Sequence, residues 1–226
     1  MPADFSDPDV VESYASRVMR HVPGLNDLHR MAGILLGENQ RHDAEILVLG
    51  AGGGMELKAF AAMHGDWRFH GVDPSAEMLD LARATIGPRY MERVELLEGY
   101  IEDAPDGPFD GAACLLTLHF LEPALRLETL KRMRQRLKNG APIVVAHHSF
   151  EKEDGKHDLW LRRNADLLIT GGLDAAKAGQ TVEAIKNQLP ALSQGEDEAL
   201  LSEAGFADIE LFYAAFTFKG WVARAA

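Results

Sequence analysis

The sequence predicts an α/β fold, a mostly parallel sheet with helices on both faces, a closing antiparallel hairpin and a helical cap. Three observations predict it. From residue 45 to 148, short apolar runs alternate with longer segments of helical periodicity, the pattern of βαβ units around a parallel sheet. A glycine run follows the first apolar strand in "EILVLGAGGGMEL", residues 45–57. Two β-rich runs end the chain, "DIELFYAAF" and "FKGWVARA", with too little between them for anything but an antiparallel hairpin.

Taken in order, residues 8–20 and 25–37 read as two helices joined by "HVPG". A strand at 45–49, a helix at 54–64, a strand at 68–72, a helix at 75–86 and a strand at 93–97 follow. "EDAPDGPFD" is a turn-rich loop, "GAACLLTL" the fourth strand, 124–138 a helix and "APIVVAHH" the fifth strand. The pattern then changes. "DLWLRRNADLLI" and "DAAKAGQTVEAIKNQ" are helical segments with no strand between them, so 151–190 reads as an inserted cap that works with helices 8–37. A helix at 196–204 stops at Gly205, a residue type common just past a helix end. No internal repeat or low-complexity tract divides the 226 residues, and a single domain is expected.

Composition excludes several function classes. With 46% hydrophobic and 26% charged residues the chain is ordinary for a globular protein, and no run approaches the roughly 20 apolar residues of a membrane span. The acidic start, "MPADFSDPDVVESY", lacks the pattern of a signal peptide, so a cytoplasmic location is expected. Cys114 is the only cysteine, which rules out an intrachain disulfide and a four-cysteine zinc site. A net charge of −12 opposes direct nucleic-acid binding, which draws its affinity from clustered Lys and Arg. The basic run "RLETLKRMRQRLK", 126–138, spaces its apolar residues helically and reads as a solvated helix face.

The glycines sit where strand turns into helix. Such a turn lets a ligand approach the backbone and the helix N-terminus, although a glycine run alone also suits a merely tight turn. The spacing here is Gly50, Gly52, Gly54, with Ala51 between the first two and Met55 where a dinucleotide pattern needs its third glycine. Asp73, followed by Pro74, falls about 20 positions on, at the end of the second strand, where an acidic side chain can accept from both ribose hydroxyls of an adenosine. Its alternative task, capping the next helix, suits Ser75 better.

With these residues in view, the chain resembles the class I S-adenosylmethionine (SAM) methyltransferases. "LGAGGG", "GVDPSAEML", "LLEGYIEDAP", "FDGAACLLTLHFLEP" and "LKNGAPIVV" match that family's motifs in order, and the hairpin fits its antiparallel last strand. The resemblance implies a Rossmann-like seven-stranded sheet, SAM as cofactor and transferase chemistry. It places the cofactor against Gly50, Ala51, Gly52, Gly54, Asp73, Pro74, Tyr100, Ile101 and Leu115. Tyr100 stands where an aspartate usually meets the adenine; it either lies against the ring or packs, while Ile101 can offer its backbone N–H. Val48 departs from the family, which often carries an acidic residue two places before the first glycine.

A narrower resemblance covers most of the chain. "VPGLNDLHRMAGIL", "LTLHFLEP", "SFEKED" and "SEAGFADIELFYAAFTFKGWVA" are similar to the bacterial carboxy-SAM synthases of tRNA wobble-uridine modification, which work on SAM and prephenate. Those enzymes hold the extra carboxylate with an arginine and a tyrosine, and their fourth strand carries an asparagine. Leu200, Leu25 and Leu115 stand at the matching positions. Apolar side chains cannot donate to a carboxylate, so the carboxylate chemistry is expected to be lost.

Methyl transfer is an in-line displacement in which the protein mainly aligns the acceptor, without a metal and in some enzymes without a base. Candidate bases lie at the carboxyl ends of the fourth and fifth strands: His119, His147 and His148. Each alone is an ordinary packing residue, and together they would also suit a metal. Strand alternation points His147 and His148 opposite ways. Tyr14, Phe150 and Trp160 line the acceptor pocket or fill core. The expected function is SAM-dependent methylation of a small molecule. The alternatives are a carboxy-SAM synthase-like enzyme, a non-catalytic SAM-binding module, and an NAD-dependent oxidoreductase, which Met55 and the hairpin disfavour. The apolar "LFYAAFTF" is either a homodimer interface at a sheet edge or core.

Overall fold

The computed structural model describes residues 8–38, 42–153 and 155–226, with the side chains of 8–12 outside that description. Val10 and Val11, apolar residues of the first predicted helix, lie outside the described side chains.

A seven-stranded sheet runs in the order β3-β2-β1-β4-β5-β7-β6. Its centre is β1 (Glu45–Leu49), parallel to β2 (Arg68–Asp73) on one side and to β4 (Gly111–Leu115) on the other. Outside β2 lies β3 (Val94–Glu98), and beside β4 lies β5 (Pro142–His148), all parallel. The terminal hairpin places β7 (Phe218–Ala225) antiparallel to β5, with β6 (Phe206–Ala215) at the edge. The order reverses between β1 and β4, which opens a crevice at their carboxyl ends.

Both faces of the sheet are covered, so the inner strands read as unbroken apolar runs rather than alternating ones. Ile46 and Val48 pack with Leu28 and Leu36 of α2 (Leu25–Gly37), Phe60 of α3 (Met55–Met63) and Ala82 of α4 (Ala76–Ile86). Leu47, Leu49 and Cys114 face the other way, onto Leu130 and Met133 of the α-helix Pro123–Gln135 and Leu201 of the α-helix Gln194–Glu203. Numbering in chain order from the short α5 (Pro88–Met91), these two helices are α6 and α9. Ser75 caps α4 by accepting from the Met78 N–H at 3.1 Å, a cap worth about 1 kcal/mol. The cap segment forms α7 (Lys156–Thr170) and α8 (Ala175–Gln188), over a small separate core of Phe150, Leu161, Ile185 and Ala191. The first helix, α1 (Pro8–His21), leans on α2 and α4. Among the described residues no helix is long and apolar enough to cross a membrane.

Three expectations need correction. The fourth strand stops at Leu115, three residues early, because Leu116 turns into the left-handed region (φ 59°) and a 3₁₀ turn follows at Leu118–Phe120. The basic run is not wholly a solvated face. Arg126 is fully buried, and its Nη1 donates to Asp197 at 2.6 Å while Nη2 donates to the Pro190 carbonyl at 3.0 Å. Arg136 is buried as well. Because α6 packs beside α9 on this face of the sheet, Arg126 on its inner stripe meets Asp197 and can be neutralised. Finally, "LFYAAFTF" is mixed. Tyr213 turns inward, its hydroxyl donating to the Pro23 carbonyl between α1 and α2, while Leu211 and Phe216 remain about 40% exposed on the edge.

Candidate functional site

The glycine run is sewn to the end of β2, for the N–H groups of Gly50 and Ala51 both donate to the Val72 carbonyl, at 2.8 and 3.1 Å. Gly50 holds φ 75°, and a Cβ there would stand 1.9 Å from Thr117 Oγ1. Gly52 is required for a different reason. Its N–H donates to Asp73 Oδ2 at 2.9 Å, and a Cβ would lie 2.6 Å from the same oxygen. Gly53 lies against the ring of Tyr14, and Gly54 lets α3 begin against Ala82. The absent side chains thus admit the protein's own groups first, drawing Thr117, Asp73 and Tyr14 around one crevice.

Asp73 also accepts from the Ser75 N–H at 3.0 Å. An ionised carboxylate has about four lone-pair sites, so beside these two hydrogen bonds it has the capacity to accept from ribose hydroxyls. Burial raises the carboxyl above its ordinary value, against the two backbone hydrogen bonds. Pro74 is exposed at the rim. Ile101 and Leu115 are buried beside the crevice strands. Tyr100 is 65% exposed, its N–H donating to Asp103 Oδ2 at 2.9 Å. The expectation that it packs is corrected: the loop turns its ring to solvent.

Next to the glycine run lies a cavity of about 330 Å³. Tyr14, Leu116, His119, His148, Ile185 and Phe218 are among its walls, so α1, the end of β4, the end of β5 and α8 all contribute. Leu116 is a bulky residue in a strained backbone region, and such outliers concentrate at functional sites.

Three histidines line the cavity, His21, His119 and His148, and hydrogen bonds assign the protons of the last two. His119 Nδ1 accepts from the His148 backbone N–H at 3.3 Å. In the neutral ring this puts the proton on Nε2 and makes His119 a donor. Thr217 donates to Asn164 Oδ1 at 3.3 Å, so its oxygen, 3.0 Å from His148 Nδ1, receives the proton of that nitrogen. Nε2 of His148 therefore keeps its lone pair. Burial, with His147 nearby, pushes His148 down to about 3; burial and His148 hold His119 well below its ordinary value. Both rings are neutral at physiological pH.

His147 does not join them. It faces the other side of β5, with Nε2 3.1 Å from Asp197 Oδ1 and its ring beside Trp221. Burial pushes Asp197 up, and His147 and Arg126 outweigh it to leave the carboxyl below its ordinary value. His147 belongs to an interior charge cluster, as the alternation of adjacent strand residues requires. Phe150 and Trp160 are also absent from the cavity wall and pack in the small core beneath the cap. Tyr14 alone of the three aromatic candidates reaches it. Among the described residues no group of three or more His, Cys, Asp or Glu could hold a metal ion. Thr217 and Asn164 carry no motif signal. Glu56, buried just after the glycines, was detectable only as a carboxylate in the otherwise apolar "MELKAF".

Comparison with known proteins agrees with this geometry. The family model described as a methyltransferase domain matches residues 46–140, from β1 through α6. The carboxy-S-adenosyl-L-methionine synthase of Campylobacter fetus is 26% identical over 96% of this chain and 92% of that protein. The corresponding protein of Salmonella arizonae is 28% identical over 96% and 89%. Among solved structures, an O-methyltransferase family protein from Burkholderia thailandensis superposes with a TM-score of 0.71 at 15% identity, over 97% of this chain and 60% of that one. Human N-acetylserotonin methyltransferase, solved in complex with SAM, gives 0.61 at 17% identity, over 99% and 60%. The chain spans about three fifths of the length of these solved proteins.

The crevice fits SAM: a cradle at Gly50 and Gly52 that a Cβ would fill, a carboxylate at the end of β2 with further acceptor capacity, and an adjoining cavity. Residues 46–140 thus match a methyltransferase domain, carried on a sheet of the class I SAM-dependent methyltransferase kind, and the chain resembles the carboxy-SAM synthases along nearly its whole length.

Proposed function

We propose that the chain methylates a small, largely apolar acceptor bearing one hydroxyl or amine, held in the cavity beside the glycine run. The cavity carries the proposal: mostly apolar walls, edged by Arg17 and His21, on which His119 and His148 sit as neutral imidazoles in opposite hydrogen-bonding states. When bound, SAM supplies a methyl group on a sulfonium for in-line displacement. Asp73 and the glycine run hold the adenosine end. His119 donates from Nε2 to the acceptor's heteroatom and orients it. His148 takes the acceptor's proton on Nε2 as the new bond to carbon forms. A base titrating near 3 does not deprotonate an alcohol or phenol beforehand, so proton transfer is concerted with methyl transfer. A net charge of −12 suits a small acceptor better than a phosphate backbone.

The test is a screen of hydroxyl and amine acceptors, scored by S-adenosylhomocysteine formed. With any acceptor that turns over, His148→Asn is expected to lower kcat by about 10²- to 10⁴-fold and to change KM little. If SAM binds but no acceptor yields product, the non-catalytic module replaces the enzyme.

The carboxy-SAM synthase alternative draws on the full-length similarity. Against it, Leu25 is buried in the core at the start of α2, Leu200 packs among the residues of the opposite face, and Leu115 is buried in β4. None of the three offers a donor to a carboxylate.

We further propose that α1 and the cap close over the acceptor and select it, since α8 and α1 supply facing walls of the cavity. Hydrogen exchange with S-adenosylhomocysteine is expected to show added protection in 8–37 and 151–190. Amides there that are already fully protected and unresponsive would make the cap a fixed structural layer.

A further inference from the structure

Glu56 is a buried carboxylate for which the acceptor chemistry has no use. It stands in the first turn of α3, two residues after Gly54, and is 6% exposed. Among the described residues, no Lys, Arg or His forms an ion pair with it. The titratable groups around it come from three other elements: Tyr14 of α1, Asp73 at the end of β2 and Cys114 of β4. None of these is a cation. Burial, reinforced by Asp73, pushes its carboxyl up to about 8. A buried ion without a counter-charge costs several kcal/mol, and a hydrogen bond from its own backbone N–H with the positive end of α3 offsets only part of that. A carboxyl kept in this place at the crevice suits a cation that arrives with the ligand.

The site's polarity says which cation. Asp73 at the end of β2 takes the ribose, and the loop after β3 takes the adenine. The methionine tail must then run the other way along the sheet edge, over the glycine run and the first turn of α3 towards β4. Glu56 opens α3 in that stretch, and its charge adds to burial in raising the Tyr14 hydroxyl and the Cys114 thiol. The tail ends in an ammonium. The position two before the first glycine cannot answer it, because Val48 is apolar and fully buried. We infer that Glu56 is the anionic partner of the methionine ammonium of SAM, supplying from the helix the charge that the strand lacks at Val48. This rests on the assignment of the crevice to SAM.

Calorimetry with two ligands tests it. S-adenosylhomocysteine carries the amino-acid tail; 5′-methylthioadenosine has the same adenosine and a thioether but no tail. Glu56→Gln is expected to weaken S-adenosylhomocysteine by about 10- to 100-fold and to leave 5′-methylthioadenosine within about twofold. Asp73→Ala, which loses a ribose partner, should weaken both alike. Undiminished binding of the tailless ligand also shows that the Gln variant is folded. A second readout is the proton balance. At pH 7 the free protein holds Glu56 largely protonated, so wild type is expected to release about one proton on binding S-adenosylhomocysteine, and Glu56→Gln none. Titrations in buffers of different ionisation enthalpy measure this. Equal weakening of the two ligands by Glu56→Gln, or none of either, overturns the role of Glu56 and leaves the cofactor assignment standing. Failure of wild type to bind either ligand overturns the cofactor assignment itself.

Discussion

Gly52→Val is expected to lose S-adenosylhomocysteine binding by on the order of 100-fold or more, combining a lost charged hydrogen bond with overpacking. The sequence alone suggests that a branched side chain would fill the cofactor's volume. The structure moves the clash onto the protein. A Cβ at Gly52 would stand 2.6 Å from Asp73 Oδ2 and 2.9 Å from Met78 Cβ. Valine therefore drives the carboxylate off its position before any ligand arrives. It also breaks the 2.9 Å hydrogen bond that joins the glycine run to Asp73. Gly65→Ala is the control, since a Cβ there meets nothing within 4 Å. Calorimetry on both variants, with circular dichroism to confirm folding, checks the result. Unchanged affinity in a folded Gly52→Val protein would remove Asp73 and the glycine run from the cofactor site.

Stability of the ligand-free protein is expected to peak near pH 6.5, with a steep acid limb and a shallower alkaline one. Burial holds His29 at about 4, His148 at about 3 and His119 well below its ordinary value. As pH falls through 6.5 the unfolded chain binds protons that the folded chain refuses. Their stability is complete above 6.5 and is lost towards the folded values. Each histidine contributes about 1.4 kcal/mol per pH unit, so the three together approach about 4 kcal/mol per unit. Glu56 has the opposite sign. Its folded value, about 8, lies above the ordinary 4.5, so its contribution is complete below 4.5 and is lost as pH rises to 8. Between 4.5 and 6.5 the three histidines, joined by His21 and His64, which burial also lowers, oppose Glu56, and stability falls on acidification. Between 6.5 and 8 Glu56 acts without that opposition, and stability falls on alkalinisation by up to about 1.4 kcal/mol per unit. Thermal midpoints from pH 4.5 to 8.5 measure both limbs, and Glu56→Gln should flatten the alkaline one. A midpoint that climbs steadily from pH 6.5 to 8, or stays level from 6.5 to 5, would contradict the buried neutral state of these groups.

What was legible in the sequence was local. Strand-length apolar runs, the glycines at Gly50–Gly54 and the acid at Asp73 depend on neighbours in the chain, and the structure brings them to one crevice. The opposed directions of His147 and His148 also follow from strand geometry alone. Which of the two reaches the cavity does not. That depends on Asp197, 50 residues further along the chain, which claims His147 for the interior. The same holds for Arg126, whose burial needs α9 to bring Asp197 to it. Leu116 gives no warning either, because "LLTL" reads as continued strand and the break arises where the chain must leave β4 for the 3₁₀ turn. The proton assignments of His119 and His148 rest on Thr217 and Asn164, which only tertiary packing brings near.

Native mass spectrometry of the purified protein, before and after addition of S-adenosylhomocysteine, tests the central claim most directly. A bound mass of SAM or S-adenosylhomocysteine is expected on purification, or when the ligand is added, and no carboxy-SAM is expected when SAM and prephenate are supplied. Retained carboxy-SAM, a nicotinamide dinucleotide, or no adduct even with S-adenosylhomocysteine present would contradict it.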